Sequence, residues 1–463
     1  MAFGLRRIAG LTLAPTIVAT LMIAPVHAQT LEEALSLAYQ TNPALLAARA
    51  QLRQTDENAP LARAGWRPTV SASLSAGLTD VNSETNGVTG TDSSSFPRTG
   101  TLSVTQPLYT GGRTGAAVTR ADSDIQAQRA ALFSTEQDTL LQGVTAYVNV
   151  IRDESLHDLQ INNVRRLEKQ LEATRDRFRV GEVTRTDVAQ AESRLARSRA
   201  DRTQAEGNLT TSRVVFERVI GIVPGQVVKP DLASNLPVNR DEAVDIALGG
   251  NFTLAQAKFQ EESSQNVVDL VFGELLPSLD LVAQAARSYD TGGGDNVATD
   301  LTAELQLTIP LYQAGAVSSR VRAAKEAANR ARLVVDDQRR VAVQSAASTF
   351  EAYQTTLAQI VSLRAEVDAS NIALEGVEQE ATVGARTVLD VLDAEQELLD
   401  AQVSLVLAER DAVIASYQLL SAMGRLTAQD LGLSVELYDY DRHYLEVYKK
   451  YYGTESPGPL PGN

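Results

Sequence analysis

The stretch Val383-Gly384-Ala385-Arg386-Thr387-Val388-Leu389-Asp390-Val391-Leu392-Asp393-Ala394-Glu395 decides how the chain must fold, because one very long helical pattern ends there and another begins. Gly384 suits a left-handed helix end, and Thr387 with Asp390 three places on has the spacing of a capping box. The stretch therefore predicts the tip of a helical hairpin. Asp390 and Asp393 share one face of the second helix, continued by Glu397, Asp400 and Ser404, while Leu389, Leu392, Leu399, Val403 and Val406 form a separate apolar stripe. Two readings of the acidic line stand side by side. Asp390 as a helix cap and Asp393 as a solvated surface charge need no function at all. Alternatively, both line a mouth that symmetry repeats into a ring, attracting cations and repelling anions.

Working outward, the same pattern occurs earlier in the chain. Leu31-Glu32-Glu33-Ala34-Leu35-Ser36-Leu37-Ala38 recurs in altered form as Arg240-Asp241-Glu242-Ala243-Val244-Asp245-Ile246-Ala247, an offset of 209 that also carries Pro68 onto Pro277. From Gln106-Pro107-Leu108-Tyr109 onto Ile309-Pro310-Leu311-Tyr312 the offset is 203, and it holds for Gly181 onto Gly384, Asp187 onto Asp390 and Gly221 onto Gly424. The sequence thus reads as an internal duplication, with its length difference confined to a loop. The halves are 29–222 and 240–431, joined by a proline-rich linker, 223–239, and followed by a tyrosine-rich C-terminal segment and disordered tail, 432–463.

Each half follows one order. A helical segment comes first, Leu31 to about Ala64 and Asp241 to about Glu274. Alternation follows, with Val70, Ala72, Leu74 and Ala76 against Thr69, Ser71, Ser73 and Ser75, and then Leu102 and Val104 against Thr101, Ser103 and Thr105. The second half repeats it with Leu279, Leu281, Ala283 and Ala285, then Leu301, Ala303, Leu305 and Leu307 against Thr302, Glu304, Gln306 and Thr308. These are two hairpins with one apolar face, of a length that crosses a bilayer at a tilt. Trp66, Tyr109 and Tyr312 collect at one end of the strands, as an interfacial girdle would. Four strands cannot close a barrel, and open edges are not tolerated in lipid, so the chain must oligomerise. Helical patterns from Arg113 to Arg179 and from Ala316 to Thr382 come next, each ~100 Å long at about 1.5 Å per residue, and each folds back through a glycine tip.

Composition narrows the class. Arg6 and Arg7, an apolar run to Pro25, and Val26-His27-Ala28 make a secretory signal, residues 1–28, with cleavage expected after Ala28. Its loss leaves 40 basic against 58 acidic side chains, which argues against nucleic acid as a partner. The chain has no cysteine and three histidines, so disulfides, a lipidated N-terminal cysteine and a histidine-based metal or nucleophile site are not expected. No enzyme and no cofactor are predicted.

The signal, the twice-used order of elements, the Pro-Leu-Tyr after each strand pair and the tip Val-Gly-Ala-Arg-Thr-Val-Leu-Asp-Val-Leu-Asp-Ala together resemble the TolC family of outer-membrane channel proteins. The resemblance spans about Thr30 to Leu431. It implies a mixed α and β membrane protein, a homotrimer whose four strands per subunit make a twelve-stranded transmembrane β-barrel above a long coiled-coil α-helical barrel. It further implies docking to an inner-membrane transporter of ABC or RND type and a periplasmic adaptor, contact with outer-membrane lipid, and a tip closed until they dock. Residue by residue, Asp390 and Asp393 match the family's acidic ring, and Arg386 matches an arginine whose partners correspond to Thr186 and Asp187. Gln170 and Glu378 match further residues that hold the closed tip, and Gly181 and Gly384 mark the two turns. The tyrosine expected three residues before the tip glycine is here Ala381, which removes one closing link. The repeats differ at corresponding positions: Asp187, Gln190, Arg194 and Arg197 stand where the second half has Asp390, Asp393, Glu397 and Asp400. On that ground the second hairpin is assigned to the lumen, with Arg386 to Asp187 as the contact between hairpins. The competing class is a periplasmic coiled-coil adaptor without a pore, which needs no membrane-length strands.

Overall fold

The computed structural model describes residues 29–81, 84–85, 88–89, 93–291 and 295–455; the expected signal, 1–28, and the proline-rich end, 456–463, lie outside the described residues. Helix α1 (Leu31–Thr41) opens on a capping box in which Thr30 and Glu33 each satisfy the other's backbone N–H. The single helix expected from Leu31 to about Ala64 is instead broken into α1, α2 (Pro43–Asp56) and α3 (Asn58–Ala64). Pro43 has no N–H to give and pushes Asn42 out of the helical region, to φ −64° and ψ 121°. Asn42 then accepts from the Ala44 N–H at 2.9 Å and donates to the Val219 carbonyl at 3.1 Å, tying the break to the far end of a long helix. The second half breaks likewise, between α6 (Arg240–Gly250) and α7 (Phe252–Phe272), although no proline is there. Asn251 caps the new start by accepting from the Leu254 N–H at 3.0 Å.

Strands β1 (Thr69–Ala76), β6 (Arg98–Tyr109), β7 (Ser278–Tyr289) and β8 (Val297–Thr308) form one antiparallel sheet in the order β1-β6-β7-β8. Between β1 and β6 the loop carries two small ladders, β2 (Thr79–Val81) with β5 (Ser93–Ser95) and β3 (Glu84–Thr85) with β4 (Val88–Thr89). The register places Val70, Leu74, Leu102, Val104, Leu281 and Leu301 on one face and Ser71, Ser73, Thr101, Ser103, Gln284 and Thr302 on the other. The apolar face is covered by nothing among the described residues, with Leu74 90% and Leu301 81% exposed. Among the described strands, β1 and β8 have no partner along their outer edges. Trp66, Tyr109 and Tyr312 are exposed at the end nearest the helices, as expected, and Phe96 and Tyr289 add exposed rings at the opposite end.

Helices α4 (Arg113–Arg179) and α8 (Ala316–Thr382) run 67 residues each, ~100 Å at 1.5 Å per residue, with the bounds expected from their periodicity. They return as α5 (Arg185–Ile220) and α9 (Val388–Ala422). Isolated helices of this length have no reason to stay straight in water, so their packing must supply it. The larger core, midway along, gathers Leu35, Tyr147, Phe216, Leu419 and Met423, all essentially solvent-free. A second core lies at the tips, where Val164, Leu167 and Leu171 of α4 meet Ala191 and Leu195 of α5 and Val388 and Leu392 of α9. The two hairpins therefore touch at their ends.

The inter-repeat segment is strapped onto the helices. The Tyr147 hydroxyl contacts the carbonyls of Gln29 and Val228 at 2.7 Å each, Lys229 pairs with Glu409, and Ser416 accepts from the Ala233 N–H at 3.2 Å. The C-terminal helix α10 (Tyr440–Val447) lies against α2 and α4, with His443 3.0 Å from the buried Asp56 carboxylate and Arg129 2.7 Å from Asp441. Most of the tyrosines expected to pack on the helical part do so: Tyr438 lies against Arg49 and Tyr448 against Arg63, while Tyr451 lies over Arg67 in the turn after α3 and Tyr452 is 91% exposed.

Candidate functional site at the helical tips

Each hairpin turns through a left-handed glycine, Gly181 at φ 83° and Gly384 at φ 80°, a conformation that side-chain-bearing residues rarely adopt. The Ala385 N–H reaches back to the Glu380 carbonyl at 2.9 Å and closes the end of α8. Thr387 then caps α9. Its hydroxyl accepts from the Asp390 N–H at 3.2 Å, while Asp390 Oδ2 takes both the Thr387 N–H at 2.9 Å and its hydroxyl at 2.8 Å. Thr184 and Asp187 repeat this geometry at the other tip. The Thr387 backbone N–H and hydroxyl, with Arg386 nearby, hold the Asp390 carboxyl below its usual range. Only one oxygen of Asp390 is used in capping, so the cap and the ring are compatible readings of one residue.

Asp393, Glu397 and Asp400 are exposed along one line of α9, as expected from the sequence. Asp393 is not a free charge, however, because Arg194 of α5 donates to its Oδ1 at 2.7 Å and links the two hairpins. Arg194 stands where the second half has Glu397, an inversion visible in the sequence that does not by itself say which acid the arginine meets. Arg386 pairs with Glu380 of its own hairpin at 2.8 Å, and Asp187 is engaged by Thr184. Within one protomer the expected Arg386 to Asp187 contact is not made. Thr186 is exposed, Gln170 is half-buried, and among the described residues neither it nor Glu378 donates or accepts a side-chain hydrogen bond that would hold the tip.

The apolar stripe is met in part. Leu392 and Leu399 are buried and Val403 and Val406 half-buried, but Leu389 is 39% exposed, and Val388, Val391, Glu395 and Leu398 complete the buried seam. The seam is rotated because α9 packs against α4 and α5 as well as α8, a constraint local periodicity does not contain. Glu395 thereby becomes a carboxylate only 5% exposed, with no hydrogen-bond partner for Oε2 among the described residues. Burial raises its pKa to about 7; Arg166 on α4 opposes the rise and Glu378 on α8 adds to it.

An open-edged sheet with an uncovered apolar face, continued by helical hairpins of ~100 Å that meet at charged tips, defines a channel subunit built to cross the outer membrane and reach inward. No helix among the described residues is long and apolar enough to cross a membrane. The chain belongs to the outer membrane efflux protein family, whose model matches residues 34–221 and 243–425. It is 35% identical over 437 residues to the outer membrane efflux protein BepC of Brucella suis biovar 1 (strain 1330), covering 93% of this chain and 92% of that one. It is 28% identical over 313 residues to the outer membrane protein TolC of Vibrio cholerae serotype O1, covering 64% and 70%. In fold it is similar to the Campylobacter jejuni CmeC outer membrane channel, with a TM-score of 0.77, 16% identity and coverage of 90% and 89%. The resemblance to the TolC family is thus borne out, the protein is an outer-membrane protein, and the pore-less adaptor reading gives way to the channel.

Proposed function

We propose that three copies of this chain assemble into an exit duct that carries substrates from an inner-membrane transporter and its periplasmic adaptor across the periplasm and the outer membrane. Three four-stranded sheets, joined edge to edge, close a twelve-stranded barrel with the apolar face toward lipid and the Ser/Thr/Glu face toward the lumen. The duplicated helical hairpins continue it as a hollow α-helical cylinder. The observation that carries this reading is the sheet itself, which among the described residues of a single chain leaves two strand edges unpaired and one apolar face uncovered. The transporter, of ABC or RND type, selects the cargo, either secreted protein or small molecules, and the tunnel passes what it is given.

The tips are the gate. Asp390 and Asp393 from three copies form the acidic ring at the periplasmic entrance, and Arg386 reaches Thr186 and Asp187 of a neighbouring copy when the tips are closed. Gln170 and Glu378 add further polar contacts, and Ala381 leaves one closing link absent. Purified protein should fractionate with the outer membrane, run as a heat-sensitive trimer and pass ions in planar bilayers. Arg386→Ala should raise single-channel conductance. A monomeric, water-soluble product that passes no ions would overturn the proposal, and unchanged conductance would remove Arg386 from the gate.

A further inference from the structure

The apolar face of the sheet ends, away from the helices, in two arginines. In register, Arg98 of β6 lies opposite Tyr289 of β7, and Gly100 lies opposite Arg287. Side chains alternate along a strand, so Arg98, Arg287 and Tyr289 share the face that carries Leu74, Leu102, Leu281 and Leu301. No acidic residue lies on that face of the four strands; Asp280, Asp300 and Glu304 are on the other. Both guanidinium groups stand against one ring, Arg287 at 5.2 Å and Arg98 at 6.0 Å from the Tyr289 centroid, and Phe96 lies 5.8 Å from Arg98. Gly100 adds no side chain between them, the Leu74 side chain lies against it, and Leu74, Gly100, Arg98, Arg287 and Tyr289 line an open groove of about 450 Å³. The neighbouring carboxylate, Asp290, accepts from the Phe96 N–H at 2.7 Å, and among the described residues neither arginine makes an ion pair.

Two like charges held side by side on a lipid-facing surface, with no carboxylate paired to them among the described residues, repel each other unless an anion bridges them. Arginine forks pair with phosphate oxygens two at a time, and the depth is right: the groove sits above the apolar band, beside aromatic rings of the kind that mark a headgroup layer. We propose that Arg98 and Arg287, backed by Tyr289, form a binding site for the phosphate groups of an outer-leaflet lipid headgroup. The site rests on the barrel reading above, since it needs this face turned toward lipid.

The probe is diphosphoryl lipid A, doped into phosphatidylcholine nanodiscs holding the full-length trimer, with monophosphoryl lipid A in parallel. Lipid retained on the extracted trimer is counted by native mass spectrometry, and only preparations that run as heat-sensitive trimers and conduct ions are scored. That criterion separates failure of the site from failure of the channel reading. Diphosphoryl lipid A should be retained in preference to the monophosphoryl form by wild type, and Arg98→Gln with Arg287→Gln should lower its retention roughly tenfold or more while the Lys pair restores part of it. Equal retention of the two lipids by wild type needs no variant to fold and would overturn the proposal, as would undiminished retention by the Gln pair. Displacement of bound lipid A by millimolar inorganic phosphate would overturn lipid as the occupant in favour of a soluble anion.

Discussion

Replacing Glu395 by Gln removes a charge from the seam between the hairpins without changing its shape. The side chain faces Arg166 from α4, Arg194, Arg197 and Asp201 from α5, Glu378 from α8 and Gln396 on its own helix. Its carboxyl rises from the ordinary 4.5 to about 7 because it is buried, and Oε2 has no donor among the described residues. A carboxyl raised in the packed state keeps its proton there over a range in which the unpacked state has lost it. The contribution of Glu395 to tip packing is therefore fully present below about pH 4.5 and is lost as pH rises to about 7, by roughly 3 kcal/mol over the whole window. From about pH 5.5 to pH 8 the loss is roughly 2 kcal/mol, a factor of about 30 in local opening. Hydrogen exchange read on peptides covering the start of α9, corrected for the intrinsic pH dependence of exchange, should show this loss of protection in wild type. Glu395→Gln should keep nearly constant protection and exceed wild type at pH 8. If wild type and the Gln variant lose protection equally, the buried carboxylate is not what weakens the tip.

Three further outcomes follow from the same geometry. Replacing Asp390 and Asp393 by alanine should lower cation selectivity and abolish block by multivalent cations in planar bilayers, and loss of the Asp390 carboxylate, which accepts from the Thr387 N–H and hydroxyl, should also fray the start of α9; a variant blocked as before would remove the ring. Arg194→Gln breaks a partly exposed ion pair worth at most about 1 kcal/mol, so global stability should hardly change while single-channel conductance rises; an unchanged conductance would make the Arg194–Asp393 pair a passive surface contact. Tyr147→Phe removes the hydroxyl whose single proton serves the Gln29 and Val228 carbonyls, leaving the Gln29 carbonyl only the Val228 N–H, and the heat-induced loss of the trimer should shift downward by the equivalent of about 1–3 kcal/mol; an unshifted transition would show that this contact adds nothing to stability.

The elements governed by local rules were legible in the sequence. Gly384 and the Thr387 to Asp390 spacing placed the tip turn, and uninterrupted periodicity placed both ends of α4 and α8, because caps and helix periodicity depend on residues within a turn or two. The strand faces were equally legible, since alternation is a property of the strand alone. Averaging over one long apolar pattern hid the break at Asn42, although Asn42-Pro43 signals it, and Asn251 has no proline to betray the same break. Glu395 was out of reach for another reason. On its own helix it is one more acid near Asp393, and it becomes buried because residues more than 180 positions earlier, on α4 and α5, close over it. Arg194 lay in plain view as an inverted charge between the halves, but only the fold says which acid it meets.

These long-range contacts also change what the acidic tip does. Counted in the sequence, each second hairpin would bring Asp390, Asp393 and Glu395 to the proposed entrance as three negative charges. In the packed tip, Asp390 keeps one oxygen for its cap, Asp393 is neutralised by Arg194, and Glu395 is half-protonated near pH 7. Separating the hairpins would free Asp393 from its arginine and return Glu395 to water, where it ionises fully. Opening under the proposed mechanism therefore raises the negative charge of the entrance as well as its width. Cation selectivity should be greater in the open state than in the closed one, and the difference should shrink when Arg194 and Glu395 are both replaced by glutamine.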